Sequence, residues 1–218
     1  MSKFKVLLAD DHALFRAGLR SLMELENDIQ VVGEAENGRL AVELAKTLRP
    51  EIVVMDIAMP ILNGLEATRQ ILHEMPETKI LILSGYSNGN YIDEVIDAGA
   101  CGYLIKQSSP GAMLKAIRDI RKGNKIYSPS ISNHVRERYK VKTADGKPVK
   151  IKGVNLTSRE SEVLQLVAEG QANKNIADEL GISIKTVEKH RQQLKRKLKI
   201  NDTAGLTRYA IATGVIEK

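Results

Sequence analysis

Five short apolar runs divide the first half of this chain: "KVLLAD" (5–10), "VVGEA" (31–35), "IVVMD" (52–56), "ILILS" (80–84) and "GYLIK" (102–106). Each is rich in Val, Ile and Leu at successive positions, so both of its faces must be buried. That is the signature of strands in a parallel sheet. Amphipathic segments fill the gaps, near 13–25, 38–48, 64–75, 89–98 and 110–122. Their boundaries carry stop and start residues: Pro50, Asn63-Gly64, Gly99 and Gly123. A strand–helix order repeated five times predicts an α/β fold, a doubly wound parallel sheet covered by helices on both faces.

Four of the runs end on polar or reactive residues: Asp10 with Asp11, Asp56, Ser84 and Lys106. In an open parallel sheet the carboxyl ends of the strands line one edge, where ligands bind. Residues distant in sequence therefore converge there. Alone, an aspartate after a strand is usually a helix cap or a solvated turn, Lys106 a solvated charge, and Ser84 a cap. The ordered set is far more specific. Three close carboxylates repel one another unless a cation neutralises them. A hard divalent ion such as Mg²⁺, which takes one or two carboxylates and works with phosphate, suits them. A carboxylate beside Mg²⁺ and a lysine is arranged to accept a phosphoryl group as an aspartyl phosphate. Mg²⁺, Lys106 and the Ser84 hydroxyl then offset charge on the transferring group.

The second half is built differently. Residues 1–127 carry a net charge of −2, residues 128–153 of +5 and residues 154–218 of +3. An acidic front and a basic back suggest two jobs, the second on an anionic polymer. The stretch 128–153 reads as the end of a helix near 131–139 followed by a basic linker, with Asp145-Gly146 as an alternative hairpin turn. Thereafter the pattern is purely helical. Thr157 and Glu160 form a capping box for a helix ending at Gly170. Asn173 is a candidate cap for a second helix that stops at Gly181; Ser183 caps a third, reaching about Lys199; a fourth runs from about Asp202 to Thr213. A helix, a Gly-containing turn and a longer basic helix is a helix-turn-helix signature. Val187, Leu194 and Leu198 share one face of that third helix, which turns Glu188, Lys189 and Gln192 outward. His190, beside the packing face, reads as structural. In the last helix, Ala204, Leu206, Ala210 and Ile211 suit either a dimer face or packing within the domain.

Composition narrows the classes further. One cysteine, Cys101, excludes an intrachain disulfide and Cys-rich zinc sites. An aromatic content of 4% with no Trp argues against a base-stacking platform. No apolar stretch approaches the length of a membrane span, and the chain enters a strand-like run at once, so a cytoplasmic protein without a leader is expected.

The motifs "LLADDHALFRAGL", "VVMDIAMPILNGLEA", "LILSGY" and "GYLIK" resemble those of a response-regulator receiver domain. Residues 156–198 resemble a LuxR-type helix-turn-helix domain, and the whole chain resembles a two-component regulator of the NarL/FixJ type. The resemblance implies a flavodoxin-like receiver over 1–127, a linker over 128–153 and a four-helix DNA-binding domain over 154–218. It makes Asp56 the phosphoacceptor. Asp10, Asp11, Asp56 and the backbone carbonyl of Ala58 would hold Mg²⁺. Ser84 and Tyr103 fall on the switch positions, with the Tyr103 ring swinging inward, and Lys106 contacts phosphate. Thr186, Glu188, Lys189 and Gln192 are expected at base edges, and Lys174, Lys185, Arg191, Lys195 and Arg196 at phosphates. Implied partners are a sensor histidine kinase, double-stranded promoter DNA with paired half-sites, and a second copy of the chain when phosphorylated or DNA-bound.

Two positions depart from common patterns. Gln107 stands where many receivers have proline, and Ala58 has no polar side chain. An aspartyl-phosphate phosphatase or mutase often carries a second acid two residues after its nucleophile, and Ala58 occupies that position. An RNA-binding antitermination output has a different helical module.

Overall fold

The computed structural model describes residues 3–85, 89–129, 131–132 and 156–216. Strands β1 (Phe4–Ala9), β2 (Ile29–Ala35), β3 (Ile52–Asp56), β4 (Lys79–Ser84) and β5 (Gly102–Ile105) alternate with helices α1 (Ala13–Glu24), α2 (Gly38–Leu48), α3 (Gly64–Glu74), α4 (Gly89–Asp97) and α5 (Pro110–Arg121). A sixth strand, β6 (Ile126–Tyr127), follows α5. The sequence reading did not include it, because two residues are too short to show a period. It pairs in parallel with β5, and the sheet runs β2-β1-β3-β4-β5-β6.

Alternation along the strands feeds two cores. Leu7, Val53, Met55, Ile80 and Ile82 pack with Ala41, Ala45, Ala67, Ile71 and Val95 on one face. Phe4, Val6, Leu8, Val54, Leu81 and Leu83 pack with Leu19, Met23, Met113, Ile117 and Ile120 on the other. Every residue of β3 is buried, as a central parallel strand requires. The order reverses between β1 and β3, so their carboxyl ends, Asp10 and Asp56, stand side by side at the switch point.

The C-terminal helices are α6 (Ser158–Ala168), α7 (Asn173–Leu180), α8 (Ile184–Leu198) and α9 (Thr203–Thr213). Thr157 and Glu160 form the expected capping box. The cap position of α7 is Ala172 and not Asn173, whose side chain instead accepts from Arg191. Gly181 ends α7 at φ 61°, a left-handed conformation that glycine adopts without strain. Val187 and Leu194 are fully buried with Leu164, Ile176 and Leu206 in a core of their own. Leu206 and Ala210 of α9 belong to that core, so they pack within the domain. The helix near 131–139, the linker and the Asp145-Gly146 turn lie outside the described residues apart from 128, 129, 131 and 132. Among the described residues no helix is long and apolar enough to cross a membrane, and no peptide is cis, including Lys106-Gln107.

Candidate phosphoacceptor site and nucleic-acid interface

The strand-end residues meet as their topology requires. Asp10 and Asp56 are both buried, and Lys106 Nζ lies 2.8 Å from Asp56 Oδ2 and 3.0 Å from Asp10 Oδ2. The second Asp56 oxygen accepts from its neighbour's amide, Ile57 N–H, at 2.8 Å. Asp11 is more exposed and pairs with His12 Nδ1 at 2.7 Å. Carboxylate oxygens of Asp10, Asp11 and Asp56 and a His12 nitrogen all fall within 4.8 Å of one another. The only cation beside the buried Asp10 Oδ2 among the described residues is the Lys106 ammonium, which Asp56 shares. A buried carboxylate oxygen facing other carboxylates is what a hard cation satisfies, so the residues fit Mg²⁺.

Burial pushes the Asp56 carboxyl up to about 6, with the Asp10 charge adding to the rise and Lys106 opposing it. Burial alone lowers the Lys106 pKa, but its bonds to Asp56 and Asp10 outweigh this and the net shift is upward. Lys106 therefore stays charged beside a carboxylate with an unusual readiness to hold a proton. Ser84 is buried, and its hydroxyl is hydrogen-bonded to Tyr103, whose ring is completely enclosed. Burial raises the Tyr103 pKa.

Three neighbours of the site were not picked out from the sequence. Besides His12, the Phe15 ring centre lies 5.1 Å from Lys106 Nζ, and the Arg16 guanidinium donates to the Asp10 carbonyl while its Nε bonds Glu34 at 3.1 Å. Their only signal was a place at the cap (His12) or on the first turn (Phe15 and Arg16) of α1, which many solvated residues share.

The loop after Asp56 is tightly built. Leu62 N–H bonds Pro60 C=O at 2.7 Å across Ile61, whose φ is +68°. That is a γ-turn with a left-handed centre, and for a β-branched residue the conformation costs on the order of 1–2 kcal/mol. Gly38 N–H bonds Leu62 C=O at 2.9 Å, and Gly64 N–H bonds Ile57 C=O at 2.8 Å. A Cβ on Gly64 would overlap the Asp56 carbonyl oxygen, and one on Gly38 the Leu62 carbonyl oxygen. Glycine is needed at both places so that the backbones can approach.

On α8, Glu188, Lys189 and Gln192 are exposed. With Ser183, Lys185 and Thr186 they line a shallow surface concavity. Ser183 caps the helix by accepting from Thr186 N–H at 3.1 Å. Lys174, Lys185 and Arg196 are exposed and Lys195 half-buried. Arg191 is engaged within the domain: its guanidinium bonds Asn173 Oδ1 and Thr203 Oγ1, each at 3.0 Å, and so braces α7 and α9 against α8. His190 Nδ1 is buried among the described residues with no hydrogen bond, consistent with a structural place.

The helical domain rests on the receiver-like half through α6. Gln165 is buried; its amide donates to Met59 C=O at 2.9 Å and accepts from Asn63 N–H at 2.7 Å. Ile61 N–H donates to Glu169 at 3.1 Å. Gln70 bonds Glu162 at 2.7 Å, and Arg39 lies 3.7 Å from both Glu162 and Glu179.

Two family models match the chain: a response regulator receiver domain over residues 6–118 and bacterial regulatory proteins of the luxR family over residues 154–210. The transcriptional regulatory protein LiaR of Bacillus subtilis is 38% identical over 206 residues, covering 94% of this chain and 96% of that protein. DegU of Brevibacillus brevis is 32% identical over 227 residues, covering 99% and 96%. Among solved structures, the RcsB response regulator of Salmonella typhimurium superposes with a TM-score of 0.57 at 29% identity, over 97% of this chain and all of that one. An RcsB–DNA complex gives a TM-score of 0.58 at 27% identity, over 95% and 98%. With its acidic strand-end pocket and its helix-turn-helix, the chain belongs to the response regulators that join a receiver domain to a LuxR-type output domain.

Proposed function

We propose that this chain is a transcription regulator that takes a phosphoryl group on Asp56 from a sensor histidine kinase and binds promoter DNA through α8. One observation carries the reading: the Lys106 ammonium bridges Asp56 and Asp10 at the β1/β3 switch point, beside carboxylates close enough to share a cation. Asp10, Asp11, Asp56 and the Ala58 carbonyl would hold Mg²⁺, which supplies charge to offset the phosphoryl oxygens. Asp56 attacks phosphorus from the donor's phosphoimidazole, a P–N bond breaks, and the electron pair leaves on the donor nitrogen. Lys106 neutralises the new oxyanions. The Ser84 hydroxyl would leave Tyr103 for a phosphoryl oxygen. With alanine at 58, no side chain there orients water onto the acyl phosphate, which fits a receiver and not a turnover enzyme.

The added charge of about −1.5 to −2 then alters the surface around the site and favours a dimer. Two copies of α8 would meet half-sites about one helical turn apart. Thr186, Glu188, Lys189 and Gln192 would read base edges, and Lys174, Lys185, Arg191, Lys195 and Arg196 would meet phosphates; for Arg191 this requires leaving Asn173 or Thr203. Related proteins support the reading: RcsB has been solved on DNA and as two dimers on two parallel DNAs. The domains would span 1–127 and 154–218, joined by 128–153, in the cytoplasm. The test is intact mass after incubation with Mg²⁺ and acetyl phosphate. A single phosphoryl adduct is expected, absent in Asp56→Asn; an adduct in both proteins, or in neither, would refute Asp56 as the acceptor.

A further inference from the structure

The output domain holds the loop that carries the phosphoacceptor. Between Asp56 and α3, three backbone groups face α6: Met59 C=O, Ile61 N–H and Asn63 N–H. Two side chains one helical turn apart, Gln165 and Glu169, take all three. They are joined to each other as well, since Gln165 Nε2 also donates to Glu169 Oε1 at 2.8 Å. Every polar atom of the Gln165 amide is thus used, in a side chain with 1% exposure. The residue at the centre of this grip is Ile61, the left-handed point of the γ-turn. On its other side the loop is fixed by Gly38 and Gly64, which belong to the receiver fold. The bonds from α6 are the supports that can be withdrawn with the receiver intact.

We propose that Gln165 and Glu169 are positioning residues for the phosphoacceptor loop: from the DNA-binding domain, they preorganise the backbone of residues 59–63 and with it the metal-binding geometry at Ala58 and Asp56. The inference rests on the assignment of Asp56 and Ala58 above. Coupling between sites is reciprocal in free energy. A docked output domain therefore strengthens Mg²⁺ binding, and a loop rearranged by phosphorylation loosens the domain. Met59 C=O, Ile61 N–H and Asn63 N–H are the backbone groups through which the two domains would act on each other.

The test uses the full chain as wild type, Gln165→Met, Glu169→Gln, and Asn175→Ala as a control on an exposed part of α7. Mg²⁺ affinity is measured by titration calorimetry, and amide exchange of residues 57–64 is followed without metal. Gln165→Met should bind Mg²⁺ about 5- to 20-fold more weakly, within the usual range for coupled sites, and its loop amides should exchange faster. Glu169→Gln should shift the same way by less, and Asn175→Ala should match wild type. Unchanged or tighter Mg²⁺ binding in Gln165→Met overturns the proposal even if its loop exchanges faster; so does a wild type that binds no Mg²⁺. If Gln165→Met does not fold by circular dichroism, Glu169→Gln decides on the same criterion. Asp11→Asn should lose Mg²⁺ whatever the state of α6. If wild type binds Mg²⁺ yet takes no phosphoryl adduct, the acceptor assignment fails while the calorimetric series still judges the grip.

Discussion

Asp56 ends the most deeply buried strand of the sheet, and its cost there is measurable. Its carboxyl, ordinarily near 3.8, is pushed up to about 6 by burial. A group whose folded pKa is raised contributes stability below its unfolded value and loses it as pH rises through the folded value. The penalty for ionising Asp56 is therefore absent near pH 3, grows between about 4 and 6, and is complete above about 7. Replacing it by neutral Asn should stabilise the metal-free protein by about 2–3 kcal/mol at pH 8 and by little at pH 4. Thermal melts of both proteins at the two pH values check this, and added Mg²⁺ should narrow the gap. Gly64→Ala should do the reverse: its Cβ meets the Asp56 carbonyl, so the loop must move and adduct formation on Asp56 should fall by more than tenfold in an otherwise folded protein. The strand-end residues were legible because a parallel sheet collects its carboxyl termini. His12, Phe15 and Arg16 were not, because their roles depend on side-chain reach across the pocket.

The elements show which local signals carry most. The capping box at Thr157 and Glu160 was readable by spacing alone. The structure adds that Glu160 is buried and ion-paired with Lys197 at the far end of α8. Burial alone raises the Glu160 pKa, but the Lys197 and Thr157 hydrogen bonds outweigh it, and the net shift is downward. A depressed carboxyl contributes stability above its unfolded pKa and loses it as pH falls through the folded one. Glu160→Gln keeps an acceptor for the cap but loses the charge paired with Lys197, and should destabilise the protein by about 1–2 kcal/mol at neutral pH, near the low end for a hydrogen bond to a charged group. In urea titrations that difference should vanish in acid, below the ordinary carboxylate range. Strand β6 escaped the sequence reading since two residues hold no periodicity. Its place is set by neighbours: Ser128 N–H bonds Tyr103 C=O at 2.9 Å, and the buried Ser128 hydroxyl accepts from Ile105 N–H at 3.1 Å. Asn173 looked like a cap, but its side chain is claimed by Arg191, a contact between helices that no local rule contains.

At the scale of the whole molecule, the two halves were separable in the sequence by charge and by the change of period, but their contact was not. Gln165 and Glu169 look like ordinary polar residues of an amphipathic helix until the loop they hold is in view. The contact runs through α6 and the start of α3, and it leaves Glu188, Lys189 and Gln192 of α8 exposed. Tyr209 of α9 is half-buried, and burial followed by the charge of Glu94 on α4 raises its pKa. The proposed switch at Asp56 therefore has little to uncover on α8 itself; it would act through the docking of the two domains and the placement of one copy against another. Lys185→Ala should weaken binding to all DNA sequences alike and reduce the slope of log affinity against log salt by about 1, as removal of one phosphate contact does.

The most direct test of the whole account is DNA affinity as a function of phosphorylation. A fragment selected from a random-sequence library by the phosphorylated protein would be titrated at fixed salt and followed by fluorescence anisotropy. Wild type with Mg²⁺ and acetyl phosphate should bind about tenfold or more tightly than without the donor, a gain of roughly 1.4 kcal/mol, and Asp56→Ala should not respond. Equal affinity for phosphorylated wild type and Asp56→Ala would contradict a switch at Asp56.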